Sequence, residues 1–230
     1  MCGRFAITLP DDAMARIFQA APANDLPPVP NYNVCPTDRV HVVRAGPSDA
    51  DHPGRHLVAM RWGFVPHWYK TLNDGPLLIN ARAETIAAKP AFRAACRERR
   101  CILPVSGFYE WMRDPQDRRL PWYFHPAGAE VLALAGIWQR WTDPQTGEAL
   151  DSCAIVTTAA GPAMAQIHHR EPLSLAASEI PLWLGEEGAD AARLMRPAPD
   201  DRLARHRVAT EVNSNKASGA DLIAPAGAAP

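Results

Sequence analysis

The chain opens Met1-Cys2-Gly3-Arg4-Phe5, and Cys2 is the residue whose position carries the most chemistry. Cysteine is small enough for an initiator methionine ahead of it to be trimmed. Trimming leaves an α-amine and a thiol on adjacent carbons. The amine of such a 1,2-aminothiol condenses with an aldehyde to an imine, the sulfur adds to the imine carbon, and a five-membered thiazolidine closes. An α-amine has a pKa of about 7.7–8.0, so a useful fraction is neutral at physiological pH. A lysine, at about 10.4, first needs desolvation or a neighbouring cation. The plain alternative is a small buried apolar side chain, and position alone does not choose between the two.

Four further segments have unusual composition. Arg61-Trp62-Gly63-Phe64-Val65-Pro66-His67-Trp68 packs two tryptophans, a glycine and a proline into one short run. Leu78-Ile79-Asn80-Ala81-Arg82-Ala83-Glu84-Thr85 runs from apolar residues straight into amide, guanidinium and carboxylate groups. Pro104-Val105-Ser106-Gly107-Phe108-Tyr109-Glu110-Trp111 sets one carboxylate among three aromatics, and Ile167-His168-His169-Arg170-Glu171-Pro172 gathers imidazoles and charges. Each also has an ordinary reading. Trp68 is then a lone exposed aromatic, and Arg82 with Glu84 a surface ion pair worth under about 1 kcal/mol. Glu110 faces solvent from an alternating strand, and the double histidine belongs to a loop.

A scaffold has to hold these groups. The 230 residues suit one domain, and 47% hydrophobic with 21% charged residues is the balance of a soluble globular protein. A formal net charge of −1 supplies no global field to draw in nucleic acid, so any such site is a local basic patch weakened by salt. The five cysteines are scattered without Cys-x-x-Cys or zinc-finger spacing, which predicts no structural metal. Arg4, Asp11 and Asp12 interrupt any signal-like start, and no apolar run reaches the roughly 18 residues of a membrane span. A reducing cytoplasm is the expected location and keeps the Cys2 thiol free.

The 23 prolines favour short strands joined by shaped loops. Asp11 and Asp12 cap a predicted short helix with Met14, Ile17, Phe18 and Ala21 on one face, and Pro22–Pro36 reads as an extended loop. Strands are predicted at 40–44, 57–62, 77–81, 101–104, 107–112, 122–125, 131–141 and 152–158, and helices at 90–99, 178–184 and 190–195. Strands outnumber helices and do not alternate with them. That pattern predicts a single α+β domain, residues 1–223, with a curved, barrel-like, mostly antiparallel β-sheet core and a few short peripheral helices. Ala224–Pro230, rich in alanine, glycine and proline, reads as a disordered tail.

As an ordered set, these stretches make the sequence resemble the SOS response-associated peptidase family of abasic-site-sensing proteins. The matching residues are the Met-Cys-Gly-Arg-Phe opening, Tyr32-Asn33-Val34 with Pro36, Trp62-Gly63 through Trp68, Asn80-Ala81-Arg82 with Glu84-Thr85, Gly107 through Trp111, Val156-Thr157, His168 with Arg170 and Pro172, and Val212-Asn213. The resemblance implies a covalent thiazolidine crosslink between Cys2 and an abasic site in single-stranded DNA, shielding the lesion. Weak lyase activity and peptidase-like self-release, a hydrolase reaction, go with it. It implies that Asn80 positions Cys2, that Glu110 carries protons and that His168 protonates the sugar oxygen or binds a phosphate. A carboxyl enclosed by aromatics has a raised pKa and can serve as acid and base in turn. DNA contacts are implied for Arg4, Asn33, Pro36, Trp68, Arg82, Thr157 and Arg170. No cofactor, metal or membrane partner is implied, and the bound protein would lie on the nucleoid.

Two departures stand out. The family's His-Asp-Arg-Met-Pro reads His168-His169-Arg170-Glu171-Pro172 here, and Cys35 precedes Pro36 where a small apolar residue is usual. The added imidazole and carboxylate bear on the pKa of His168. Two other classes compete. N-terminal-nucleophile glutamine amidotransferases also begin Met-Cys-Gly but continue with isoleucine, where this chain has Arg4-Phe5. A non-catalytic single-strand-binding module would use Trp68 and the arginines and leave Cys2 incidental.

Overall fold

A computed structural model describes residues 2–46 and 54–227. In chain order its strands are β1 (Phe5–Ile7), β2 (Ala20–Pro22), β3 (Asn31–Val34), β4 (Arg39–Ala45), β5 (Arg55–Trp62), β6 (Asn80–Arg82) and β7 (Arg100–Val105). Then follow β8 (Gly107–Arg113), β9 (Arg119–Pro126), β10 (Leu132–Thr142), β11 (Ala149–Ala159), β12 (Arg170–Pro172), β13 (Ser174–Leu175) and β14 (Leu203–Arg207). The helices are short: α1 (Asp11–Phe18), α2 (Arg93–Glu98), α3 (Pro162–Ala165) and α4 (Ile180–Leu184).

Register turns five of the strands into a barrel. Strands β11, β10, β7, β4 and β5 follow one another in antiparallel pairs. Strand β5 then meets β11 in parallel at Arg61↔Ser152 and Trp62↔Cys153, which closes the ring of five. Apolar residues of these strands, among them Val42, Leu57, Trp62, Leu134 and Ile155, are fully buried. Gly136 lies where strands approach closely: a Cβ there would stand 2.6 Å from Leu103 and 3.0 Å from the Cys101 sulfur.

A second, open sheet has the order β14-β9-β8-β1-β3 and is antiparallel throughout. Period-two alternation divides its side chains between two cores. Phe5 and Phe108, with Phe124 stacked on Phe108 at 5.1 Å, join Cys2 and the barrel residues in the main core. Ala6, Tyr109 and Tyr123 face the other way, onto Val208, Val212 and Leu222 of the C-terminal segment.

The predicted single α+β domain with a barrel-like sheet is the fold observed. Several elements differ from expectation. Strand β3 lies inside the segment read as an extended loop, and β14 was not expected; both are polar and gain their order from pairing with β1 and β9. Helix α1 buries Met14 and Phe18, but Ile17 is 41% exposed and Ala21 belongs to β2. Its N-cap is Pro10, while the carboxylate of Asp11 meets Nε2 of the buried His41 at 2.9 Å. The basic stretch 90–99 narrows to α2, and Arg100 caps it by donating to the carbonyls of Cys96 and Arg97 while also donating to that of Trp183 in α4. In the tract read as a tail, Pro225 bridges Val208 and the Ala226 N–H donates to the Arg207 carbonyl; residues 228–230 lie outside the described part.

Candidate active site

The groups singled out by type meet where the open sheet passes the end of the barrel. Cys2 is fully buried just ahead of β1. Strand β6 runs parallel to β11, pairing Asn80 with Ile155 and Arg82 with Thr157. Ala81 between them is fully buried. Asn80 therefore faces away from Ala81, and its Nδ2 donates to the Cys2 carbonyl at 2.8 Å. The Asn80 Oδ1 is buried and has no hydrogen-bond partner among the described residues.

Glu110 comes from the centre of β8, where it is only 3% exposed. Alternation puts it on the Phe108 face, with Tyr109 and Trp111 on the other. Of the aromatics expected from sequence to enclose it, Phe108 shares its face of the strand, while the Tyr109 hydroxyl donates to the Tyr32 carbonyl at 2.7 Å. Burial pushes the Glu110 carboxyl above its ordinary pKa. The Cys2 thiol is raised as well, first by burial and then by the nearby Glu110 charge. A thiolate and a carboxylate side by side are mutually disfavoured.

His168 stands at the end of a turn that starts with α3; its own N–H donates to the Met164 carbonyl at 3.0 Å. His168 Nδ1 lies 3.0 Å from the Arg170 N–H and 3.1 Å from the Arg170 carbonyl, so the Arg170 backbone holds the neutral ring in place. Burial lowers the His168 pKa, which favours that neutral form. The added His169 is exposed and stacks on His168 at 4.4 Å. The added Glu171 points elsewhere and accepts the Gly161 and Ala198 N–H groups, each at 2.9 Å.

Gly3, Arg4, Glu110, Trp111 and His168, with the exposed Arg113 and Arg119, line one cleft of about 340 Å³. Of the residues implied as DNA contacts, Arg4 lines this cleft and is held by Asn33 Oδ1 at 2.6 Å and by the Val212 carbonyl at 3.1 Å. Asn33 is buried, and its Nδ2 donates to the Ala217 carbonyl at 2.6 Å. Arg170 is also buried, bound bidentately to Glu84 at 2.6 and 2.9 Å and to the Thr157 carbonyl at 2.7 Å. Glu84 thus pairs with Arg170 and not with Arg82, and the pairing lowers its pKa to about 2. Thr157 is fully buried between Arg82 and Pro172. Pro36 (half-buried), Trp68 (48% exposed) and Arg82 (exposed) are not among the residues lining the cleft.

Sequence reasoning missed Arg113 and Arg119. The signal was the β8–β9 hairpin, whose register sets Arg119 opposite Arg113 and diagonal to Trp111. Among the described residues no group of three His, Cys, Asp or Glu side chains is arranged to hold a metal ion.

A barrel joined to an open sheet, with a cysteine, an amide, a buried carboxyl and an imidazole at the seam, defines a class of small proteins equipped for nucleophile and proton chemistry. The chain belongs to the SOS response associated peptidase (SRAP) family, whose model matches residues 1–215. It is 32% identical to the abasic site processing protein YoqW of Bacillus subtilis over 97% of this chain and 99% of that one. It is 30% identical to the abasic site processing protein YedK of Escherichia coli over 98% and 100%. A crystal structure of a protein from Bacteroides thetaiotaomicron shares the fold with a TM-score of 0.85 at 23% identity, covering 98% of this chain and all of that one.

Proposed function

We propose that this protein binds single-stranded DNA at an abasic site and, once Met1 is removed, bonds to the lesion through Cys2. The observation that carries the reading is the setting of Cys2. Asn80 holds its carbonyl, a buried Asn80 acceptor is left over for an N–H donor such as the freed α-amine, and Glu110 is close enough to shift the thiol. Family membership and the abasic site processing relatives support the same substrate.

The chemistry balances without an oxidant or cofactor. The neutral α-amine attacks the open-chain aldehyde of the abasic sugar and gives a carbinolamine. Protonation of its hydroxyl expels water and leaves the imine. The thiol then adds across C=N: a C–S bond forms, and the thiol proton ends on nitrogen. Because burial disfavours the thiolate, the amine leads and sulfur follows. Glu110, protonated more readily than an ordinary carboxyl, supplies the proton for water loss, regains one as the iminium nitrogen is deprotonated to the imine, and relays the thiol proton to nitrogen. His168, its ring held by the Arg170 backbone, offers a proton to the sugar oxygen or to a phosphate. Elimination at the imine stage gives weak strand scission, and hydrolysis of the ring releases the protein. The reaction needs a free thiol, as in a reducing cytoplasm.

The test is a denaturing gel of protein whose intact mass shows Met1 removed, incubated with an oligonucleotide bearing one abasic site. A band that survives denaturation, requires the lesion and disappears in Cys2→Ala is expected. Correctly processed protein that gives no band overturns the proposal.

A further inference from the structure

The β8–β9 hairpin carries three arginines, and the structure treats them differently. Arg113 is paired with Asp117 at 2.7 Å, and Arg118 with Asp114 at 2.6 Å, both within the turn. Among the described residues Arg119 has neither a side-chain hydrogen bond nor an ion pair. Its guanidinium lies over the Trp111 ring, 5.0 Å from the centroid. Trp111 is itself fixed, half-buried, with its indole N–H donating to Asn213 Oδ1 at 2.6 Å. Arg119 also lines the cleft that contains Glu110 and His168.

From this arrangement we infer that Arg119, held over Trp111, is a phosphate-binding residue that grips the backbone of the strand entering this cleft. The inference rests on the proposed DNA reading and adds a contact to it. A guanidinium over an aromatic face loses rotational freedom yet keeps its N–H edges for an anion, a geometry suited to bidentate phosphate contact. A neutral hairpin tip would not need this: its other two arginines already have carboxylate partners. Arg4, the other arginine near Trp111 at 6.0 Å, spends Nη1 on Asn33 and the Val212 carbonyl, which leaves Arg119 the less committed cation.

The experiment measures binding of an intact, lesion-free single-stranded oligonucleotide by fluorescence anisotropy across a salt series, beside the crosslinking gel. Arg119→Ala is expected to weaken binding several-fold at low salt. It should also reduce the slope of log affinity against log salt by about 0.7, the value of one single-strand phosphate contact. Arg119→Lys should keep most of the slope, since it keeps the charge. Arg140→Ala is the charge-matched control, because Arg140 sits bidentate on Asp151 at 2.8 Å along β10; its slope should match the parent. Arg119→Gln repeats the test with a longer side chain over Trp111. If the parent crosslinks but both neutral Arg119 variants keep its slope, the inference fails and the proposed function stands. An equal loss in Arg140→Ala also overturns it, by showing a general charge effect. A parent that neither binds nor crosslinks removes both proposals.

Discussion

Two carboxylates near the His168–Arg170 segment hold their protons in opposite ways. Glu84 is about half exposed and locked onto Arg170, which holds its carboxyl at about 2. Glu110 lies buried on β8 in the cleft with His168, and burial raises its pKa. The first is a clasp: it ties the turn after β6 to β12, whose Arg170 backbone holds the His168 ring. The second is held toward its protonated form by burial, at a cost in desolvation. Glu84 and Glu110 are thus distinguished by the direction of their shifts. For this pair, downward goes with the clasp and upward with the group proposed for proton transfer, whereas Glu171, also raised by burial, only accepts the Gly161 and Ala198 N–H groups.

The sharpest way to break that contrast is to remove the proton from the chemical side. On the proposed reaction, Glu110→Gln keeps shape and hydrogen-bonding capacity but cannot shuttle a proton. Crosslinking should slow by roughly 10²–10⁴-fold, with binding of intact strands within about twofold of the parent. Single-turnover gel kinetics read the first number and anisotropy the second. An unchanged rate would take Glu110 out of the chemistry and dissolve the distinction.

On the architectural side the effect is smaller and lies in stability. Glu84→Gln leaves the buried Arg170 with a weaker partner and should cost about 1–2 kcal/mol at pH 7, discounted because Glu84 is half exposed. Its folded pKa is depressed, so its stabilisation is present above the unfolded value of about 4.5 and fades as pH falls toward about 2. Urea titrations should find the two proteins far apart at pH 7 and closer at pH 3. A gap that stays constant with pH would mean that the charge of Glu84 contributes nothing to the clasp.

How much of this was readable beforehand depends on sequence distance. Cys2, Asn80, Glu110 and His168 stand out by residue type, and the long apolar strands foretold a barrel-like sheet. Closure of the ring did not, because it rests on two parallel pairs between β5 and β11, far apart in the chain. Arg170, Thr157 and Asn33 were picked out by resemblance as DNA contacts, but sequence could not show that they are buried and bonded within the protein. The partner that settles Arg170 is Glu84, eighty-six positions away. The single residue between Arg82 and Glu84 made a local pair look natural, yet the strand direction set by β11 sends Glu84 elsewhere. Strand β3 and strand β14 were missed for the same reason: polar segments acquire order from a neighbour that local pattern does not reveal.

The smallest effect is also the one that tests the contrast within a single substitution. If Glu110 is retained for chemistry against the preference of the fold, removing its ionisation should stabilise the protein while it slows the reaction. The sign follows from the raised pKa. Between the unfolded value of about 4.5 and the higher folded value, the native state holds a proton that the unfolded state has lost. The stability linked to Glu110 is therefore full below that window and lost as pH rises through it, the reverse of Glu84. Glu110→Gln has no such proton to lose. Its unfolding free energy should gain on the parent as pH goes from 5 to 8, with each kcal/mol appearing as about 2–4 °C in Tm. A parent that instead gains on the variant toward pH 8 would show the ionised carboxylate to be stabilised in place. Glu110 would then be a second clasp, and the direction of a shift would no longer separate the two regions.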